Sequence, residues 1–165
     1  YSPKGSSKCY DCPVGTYTAD GESECKLCPK HLKVNDDRTS CIPCGVGKYA
    51  VSGWCHNCPK GTYNDHSDVS ECTPCPGGFF TNTIGNTECS PCPAGTYSPK
   101  GSSKCYDCPV GTHSRGALET CWFCEHNTFA NTTGNHVCTR CPKGTEALAI
   151  GSSHCTRCNK DEQEL

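Results

Sequence analysis

All twenty cysteines of this 165-residue chain fall into ten C-x-x-C pairs: Cys9/Cys12, Cys25/Cys28, Cys41/Cys44, Cys55/Cys58, Cys72/Cys75, Cys89/Cys92, Cys105/Cys108, Cys121/Cys124, Cys138/Cys141 and Cys155/Cys158. Successive pairs lie 16, 16, 14, 17, 17, 16, 16, 17 and 17 residues apart, with one contraction at Val51-Ser52-Gly53-Trp54. A unit this short cannot enclose a core of its own, so its recurrence along the chain specifies an array of stacked pieces. The repeat marks approximate units at 9–24, 25–40, 41–54, 55–71, 72–88, 89–104, 105–120, 121–137, 138–154 and a partial 155–165.

Composition explains why cysteine has to carry the structure. Leu, Ile, Val and Phe together number 19, fewer than the cysteines alone. So little apolar side chain does not offset about 1–2 kcal/mol of backbone entropy per residue. Fifteen basic and seventeen acidic side chains give a net charge of −2, without a dense Lys/Arg run. That balance argues against nucleic acid and against an anionic membrane as partners. No apolar run approaches the roughly eighteen residues of a membrane span. The chain opens in mid-pattern at Tyr1, with neither an initiator Met nor an apolar signal core. The expectation is a piece of a longer secreted or surface protein, with no membrane contact in this segment.

The second Cys of a pair is followed by Pro in seven of ten cases, and Gly stands three positions after it in seven of nine. Pro fixes φ and Gly permits positive φ, so the chain can reverse directly after each cross-link. Two residues beyond that Gly stands a ring in six of nine units, namely Tyr17, Tyr49, Tyr63, Phe80, Tyr97 and Phe129, and the sequence predicts that these rings form each unit's small core. A polar turn such as Gly21-Glu22-Ser23-Glu24 or Gly85-Asn86-Thr87-Glu88 precedes the next pair. No stretch carries an apolar period of 3.6 residues with caps. The predicted fold is therefore a small disulfide-rich one: an elongated tandem array of about ten units of 14–17 residues, short β-hairpins and turns, essentially without helix. Lys30-His31-Leu32-Lys33-Val34 and Glu125-His126-Asn127 break the pattern and predict local irregularity. Residues 1–16 recur unchanged at 97–112, the mark of an internal duplication.

Ten C-x-x-C pairs could serve redox catalysis, zinc or disulfide bonding. Redox catalysis requires an exposed low-pKa thiol at a helix N-terminus, and no helix is predicted. Zinc is compatible with the spacing C-x2-C-x12-C-x2-C, but the basic and aromatic readout residues of zinc modules that dock nucleic acid are missing. An even, dense cysteine count in a chain without a core favours disulfides in an oxidising compartment. Two connectivities fit. One joins second Cys to next first Cys, so that Cys12, Cys25, Cys28, Cys41, Cys44, Cys55, Cys58, Cys72, Cys75, Cys89, Cys92, Cys105, Cys108, Cys121, Cys124, Cys138, Cys141 and Cys155 pair in order, with Cys9 and Cys158 pairing outside the chain. The other double-links couples of units, Cys9 to Cys25 and Cys12 to Cys28. The spacing series has no even/odd alternation, and equivalent units favour the first scheme.

The string C-x-x-C-P-x-G-T-Y followed by G-x-S-x-C-x-x-C-P, strongest over Cys9 to Cys28, Cys58 to Cys72 and Cys89 to Cys108, resembles the ephrin-receptor-like cysteine-rich repeat. More distantly it resembles the tumour-necrosis-factor-receptor module. The resemblance implies an extracellular, disulfide-laddered fold, found in receptor ectodomains, secreted matrix-type proteins and long repetitive coats or filaments of protist cells and cilia. Fold alone does not assign function.

Few other residues stand out. Asn131-Thr132-Thr133 is the one N-glycosylation sequon. Trp122-Phe123 between Cys121 and Cys124, and Trp54 before Cys55, are large apolar groups where other units carry Tyr-Asp, Thr-Pro or Thr-Arg; they are candidate contact residues, or else they pad junctions between units. The seven His residues, His56 included, show neither metal spacing nor a carboxylate partner in sequence. With no nucleophile elbow, phosphate loop, calcium loop or carboxylate pair, the reading has no catalytic residues, no metal and no cofactor, and the chain is not an enzyme. It is a structural repeat segment of an extracellular fibre, surface coat or mastigoneme-like ciliary filament, partnered by its own copies or other extracellular proteins. The alternative is a protein-binding receptor ectodomain.

Overall fold

In the computed structural model, residues 1–4, 8, 10–19 and 21–158 are described. Nine disulfides each join the second cysteine of one pair to the first of the next, closing nine successive loops: Cys12–Cys25 (loop 1), Cys28–Cys41 (loop 2), Cys44–Cys55 (loop 3), Cys58–Cys72 (loop 4), Cys75–Cys89 (loop 5), Cys92–Cys105 (loop 6), Cys108–Cys121 (loop 7), Cys124–Cys138 (loop 8) and Cys141–Cys155 (loop 9). Cys158 is exposed and unpaired. Cys9 and the outside partner expected for it lie beyond the described residues.

Six of the nine loops open with a turn closed by a threonine, in five of them within Pro-x-Gly-Thr. The Thr at position 4 after the opening cysteine donates both its N–H and its Oγ1 to the carbonyl at position 1. In loop 6 these bonds run from Thr96 to Pro93, at 3.2 and 2.7 Å. The same two bonds recur at Thr16, Thr62, Thr112, Thr128 and Thr145. The hydroxyl adds a second bond to a carbonyl that already accepts the turn's N–H, a side-chain device common to Ser/Thr turns. Positions 4 and 5 then pair antiparallel with the two residues inside the next C-x-x-C, as Thr96–Tyr97 does with Tyr106–Asp107. No helix is present among the described residues. The short step of the sequence falls at loop 3, where Lys48–Val51 pairs with Trp54–Asn57 across a two-residue turn of Ser52 (φ 52°) and Gly53 (φ 81°). Positive φ at both turn residues matches the twist of a tight hairpin and shortens the loop.

Two expectations need correction. The loops that break the Pro-x-Gly pattern are regular: Leu32–Val34 pairs with Cys41–Pro43, and Thr128–Phe129 pairs with Thr139–Arg140. Asn127 takes the φ of 60° that Gly supplies elsewhere, a conformation Asn tolerates better than most residues. The rings are also not the core. Tyr17, Tyr49, Tyr63, Phe80, Tyr97 and Phe129 are all half-buried. The buried side chains are six opening cysteines, with Cys58, Cys75, Cys108 and Cys124 at 0% exposure, Thr112, and the small residue at position 6 of loops 3 to 9: Ala50, Asn64, Thr81, Ser98, Ser114, Ala130 and Ala147. The cystine fills the centre of so small a loop, leaving room beside it only for a small side chain.

Position 6 is buried because its backbone joins one loop to the next. The position 3 N–H donates to the position 6 carbonyl of the following loop: Gly47 to Asn64, Gly61 to Thr81, Gly78 to Ser98, Gly95 to Ser114, Gly111 to Ala130 and Asn127 to Ala147. The position 6 N–H donates onward as well, for example Ser114 to the Asn135 carbonyl and Ala130 to that of Ser152. A third bond returns from the second turn, as from Gly134 N–H to the Cys108 carbonyl. Backbone groups carry all three, so side chains can vary without changing the stacking. Next-but-one loops also meet. A Cβ on Gly95 would fall inside the Gly134 carbonyl, one on Gly111 inside that of Gly151, and one on Gly47 inside that of Gly85. Units therefore touch more than their immediate neighbours. At Gly47, Gly95 and Gly111 glycine serves both the positive φ (85° at Gly95) and this approach.

The chain forms two compact units, one from Tyr1–Pro74 with Thr81–Glu88, the other from Cys75–Phe80 and Cys89 onward. Every inter-loop contact named above lies within one of them.

Candidate functional site

The array spends its cysteines, glycines and position 6 residues on itself and leaves the residues inside each C-x-x-C facing outward. All such residues in strands are exposed, from Lys26–Leu27 to Thr156–Arg157. Trp122 and Phe123 occupy this place between loops 7 and 8 and are 51% and 64% exposed. Trp122 pairs across the strands with His113, the indole meeting the imidazole edge-on at 5.9 Å between centroids. One edge of the Phe123 ring rests on Gly151 of loop 9, where any side chain would collide with it. The two rings border an open groove of about 400 Å³ completed by Arg115, Glu125, Thr128 and Val137.

Trp54 lies in the other compact unit and is 56% exposed. It borders a second recess, about 230 Å³, with Val14, Lys33, Asp36 and Arg38. Here Arg38 Nη1 donates to the Cys12 carbonyl at 2.6 Å, taking the place of the backbone N–H, of a glycine or of Ala117, that binds the corresponding carbonyl from loop 4 to loop 8. The candidate contact residues thus occupy two separate grooves, each a partly exposed aromatic face beside charged groups. Such faces suit the docking of another side chain or segment. Smaller ring pairs follow the same register: Tyr97 with Tyr106 at 5.8 Å, with Lys104 Nζ 4.9 Å above the Tyr106 ring, and Tyr49 with His56 at 5.6 Å.

His113 stands where most loops carry Tyr or Phe, and its Nδ1 lies 3.2 Å from Cys138 Sγ. His113, Cys124 and Cys138 bring their ligand atoms within 4.8 Å of one another. The two sulfurs are bonded to each other, so neither offers a thiolate to a metal. His66 has the carboxylate partner not expected for it, Asp65 Oδ1 at 2.6 Å from Nδ1. The pair is between adjacent, exposed residues and positions no nucleophile among the described residues. The one ion pair between lysine and a carboxylate among the described residues, Lys26 Nζ to Glu22 Oε1 at 2.6 Å, is also at the surface. Its hydrogen bond holds the Glu22 carboxyl below the usual glutamate range and Lys26 above the usual lysine range. Asn131 is exposed in the second turn of loop 8.

Sequence reasoning missed the position 6 row, the arginine cap on Cys12 and the contact between His113 and Cys138. The first had a signal, because position 6 is small in nearly every loop. The other two depend on how consecutive loops stack. No helix among the described residues is long and apolar enough to cross a membrane.

The family model described as tyrosine-protein kinase ephrin type A/B receptor-like matches residues 1–36, 47–88, 66–97 and 111–158. Comparison with curated proteins yields no match.

Proposed function

Since the chain belongs to the ephrin-receptor-like cysteine-rich repeat family, we propose that it is a structural repeat segment of a longer extracellular protein that builds a fibre, surface coat or mastigoneme-like ciliary filament. The observation that carries this reading is the backbone ladder. Six consecutive junctions use the same bond from position 3 to position 6, independent of side-chain identity. Such a scaffold extends by adding loops that share a positive φ at position 3 and a small residue at position 6. The unchanged recurrence of residues 1–16 at 97–112 fits growth by duplication. The segment works by geometry and not by catalysis. Its partners are other copies of itself or other extracellular proteins, with Trp54, Trp122 and Phe123 as the apolar groups buried between chains. An open contact between identical arrays propagates and does not close.

Electron microscopy of the intact source protein tests the proposal: filaments or an ordered coat support it. Replacing Trp54, Trp122 and Phe123 with Ser leaves the disulfides formed and weakens association. A second reading, a receptor ectodomain, draws on the groove at Trp122 and Phe123. A protein that stays monomeric at high concentration and captures a soluble protein ligand through loops 7 and 8 selects it instead.

A further inference from the structure

The geometry of loop 8 points to an N-linked glycan on Asn131. Position 7 is asparagine in loop 5 as well, Asn82, where Asn86 Nδ2 donates to the Thr83 carbonyl but no sequon follows, and in loop 2. There Asn35 Oδ1 accepts the N–H groups of Thr39 (2.9 Å) and Ser40 (3.1 Å), while its Nδ2 donates to Thr39 Oγ1 at 3.0 Å. The Asn35 amide is committed to holding its turn. In loop 8 that task falls to Asn135, whose Nδ2 donates to the Thr132 carbonyl at 2.6 Å and to Thr132 Oγ1 at 3.1 Å. The Asn135 carbonyl in turn accepts Ser114 N–H from loop 7. The turn is thereby fixed without Asn131. Its amide makes no hydrogen bond among the described residues, and Asn131 and Thr133 are both exposed, directly after the buried Ala130. A free amide two residues before a free hydroxyl, on a turn held by other groups, is an acceptor that can carry a large substituent without disturbing the array.

The modification forms a bond between Asn131 Nδ2 and C1 of a sugar. It breaks the bond from that C1 to the oxygen of a lipid-pyrophosphate-linked oligosaccharide, the donor. The lipid pyrophosphate leaves, the Nδ2 proton passes to the base of the transferase, and nothing is oxidised or reduced. The inference requires passage through the oxidising secretory compartment that disulfides imply. It does not require that the protein form fibres.

The test is the intact mass of the full chain secreted from eukaryotic cells, before and after treatment with peptide N-glycosidase. The expected result is a mass above that of the bare chain, fully lost on treatment, with Asn131 converted to Asp. Asn131→Gln and Thr133→Ala each abolish the added mass while the nine disulfides still form, and Thr133→Ser retains it. A secreted wild-type chain with the bare mass overturns the inference, as does added mass that persists in Asn131→Gln. Should one variant fail to be secreted, the wild-type mass and the other variant decide.

Discussion

Replacing Gly95 with Ala separates the cost of a left-handed backbone from the cost of pushing next-but-one loops apart. Gly144 is the control. It occupies the same loop position with nearly the same φ, 80° against 85°, but an added Cβ there meets nothing within 4 Å among the described residues. Both substitutions cost about 1–2 kcal/mol for holding an L-residue in that conformation. At Gly95 the new methyl also enters the Gly134 carbonyl, so the second turn of loop 8 must withdraw from loop 6. At stake are the bonds from Gly134 N–H to Cys108 O (2.8 Å) and from Gly95 N–H to Ser114 O (2.7 Å). Each is worth about 0.5–1.5 kcal/mol net, so the added cost is about 1–3 kcal/mol. Amide hydrogen exchange with the disulfides intact reads this locally, since local opening follows local stability. The Gly134 amide should lose about 5- to 150-fold in protection in Gly95→Ala. It should be unchanged in Gly144→Ala. Equal protection of Gly134 in the two variants would refute the stacking of next-but-one loops.

Three further outcomes follow from the same geometry. Ser98→Ala should cost no more than about 1.5 kcal/mol, the net value of the hydrogen bond from Ser98 Oγ to Phe79 O; Ser98→Leu should cost about 1–3 kcal/mol from overpacking at a 0% exposed site, and thermal unfolding of the two variants ranks them. Removing the Cys92–Cys105 bond by a double Ala substitution should loosen loop 6 by about 3 kcal/mol in the loop-entropy picture, visible as lost amide protection there while the disulfides of loops 5 and 7 stay closed. The Glu22 carboxyl should titrate below the ordinary glutamate range by NMR, and Lys26→Ala should return it upward. The pair's small surface contribution is present at neutral pH, is lost as pH falls through the lowered Glu22 value or rises through the raised Lys26 value, and weakens with added salt.

What could be read from the residues is what is local. C-x-x-C spacing marks where each loop opens and closes, and Pro-x-Gly-Thr marks the reversal after Cys12, Cys92 or Cys108. The strand pairs and the lack of helix follow from those two patterns. Hydropathy misplaces the core, because Tyr97 has the side chain of a core residue and Ser98 does not. In a loop of this size the cystine is already the centre, and burial is decided by room and by which backbone groups face the next loop. The irregularity expected at Glu125-His126-Asn127 failed because the ladder requires only an N–H and a positive φ at position 3, and Asn127 supplies both. The contacts of Gly95 with Gly134 and of His113 with Cys138 depend on the turn from one loop to the next, a quantity that no single motif encodes. The exposed aromatic pair was legible as an exception to the repeat, whereas the groove it shares with Arg115 and Glu125 was not.

The fold depends on loops that close on themselves, and non-reducing peptide mapping of the native protein measures that directly. Closed loops predict Cys12 joined to Cys25, Cys92 joined to Cys105 and Cys124 joined to Cys138, each bond spanning one loop. Recovery of Cys9 joined to Cys25 together with Cys12 joined to Cys28, or of stoichiometric zinc with titratable thiols, would contradict it.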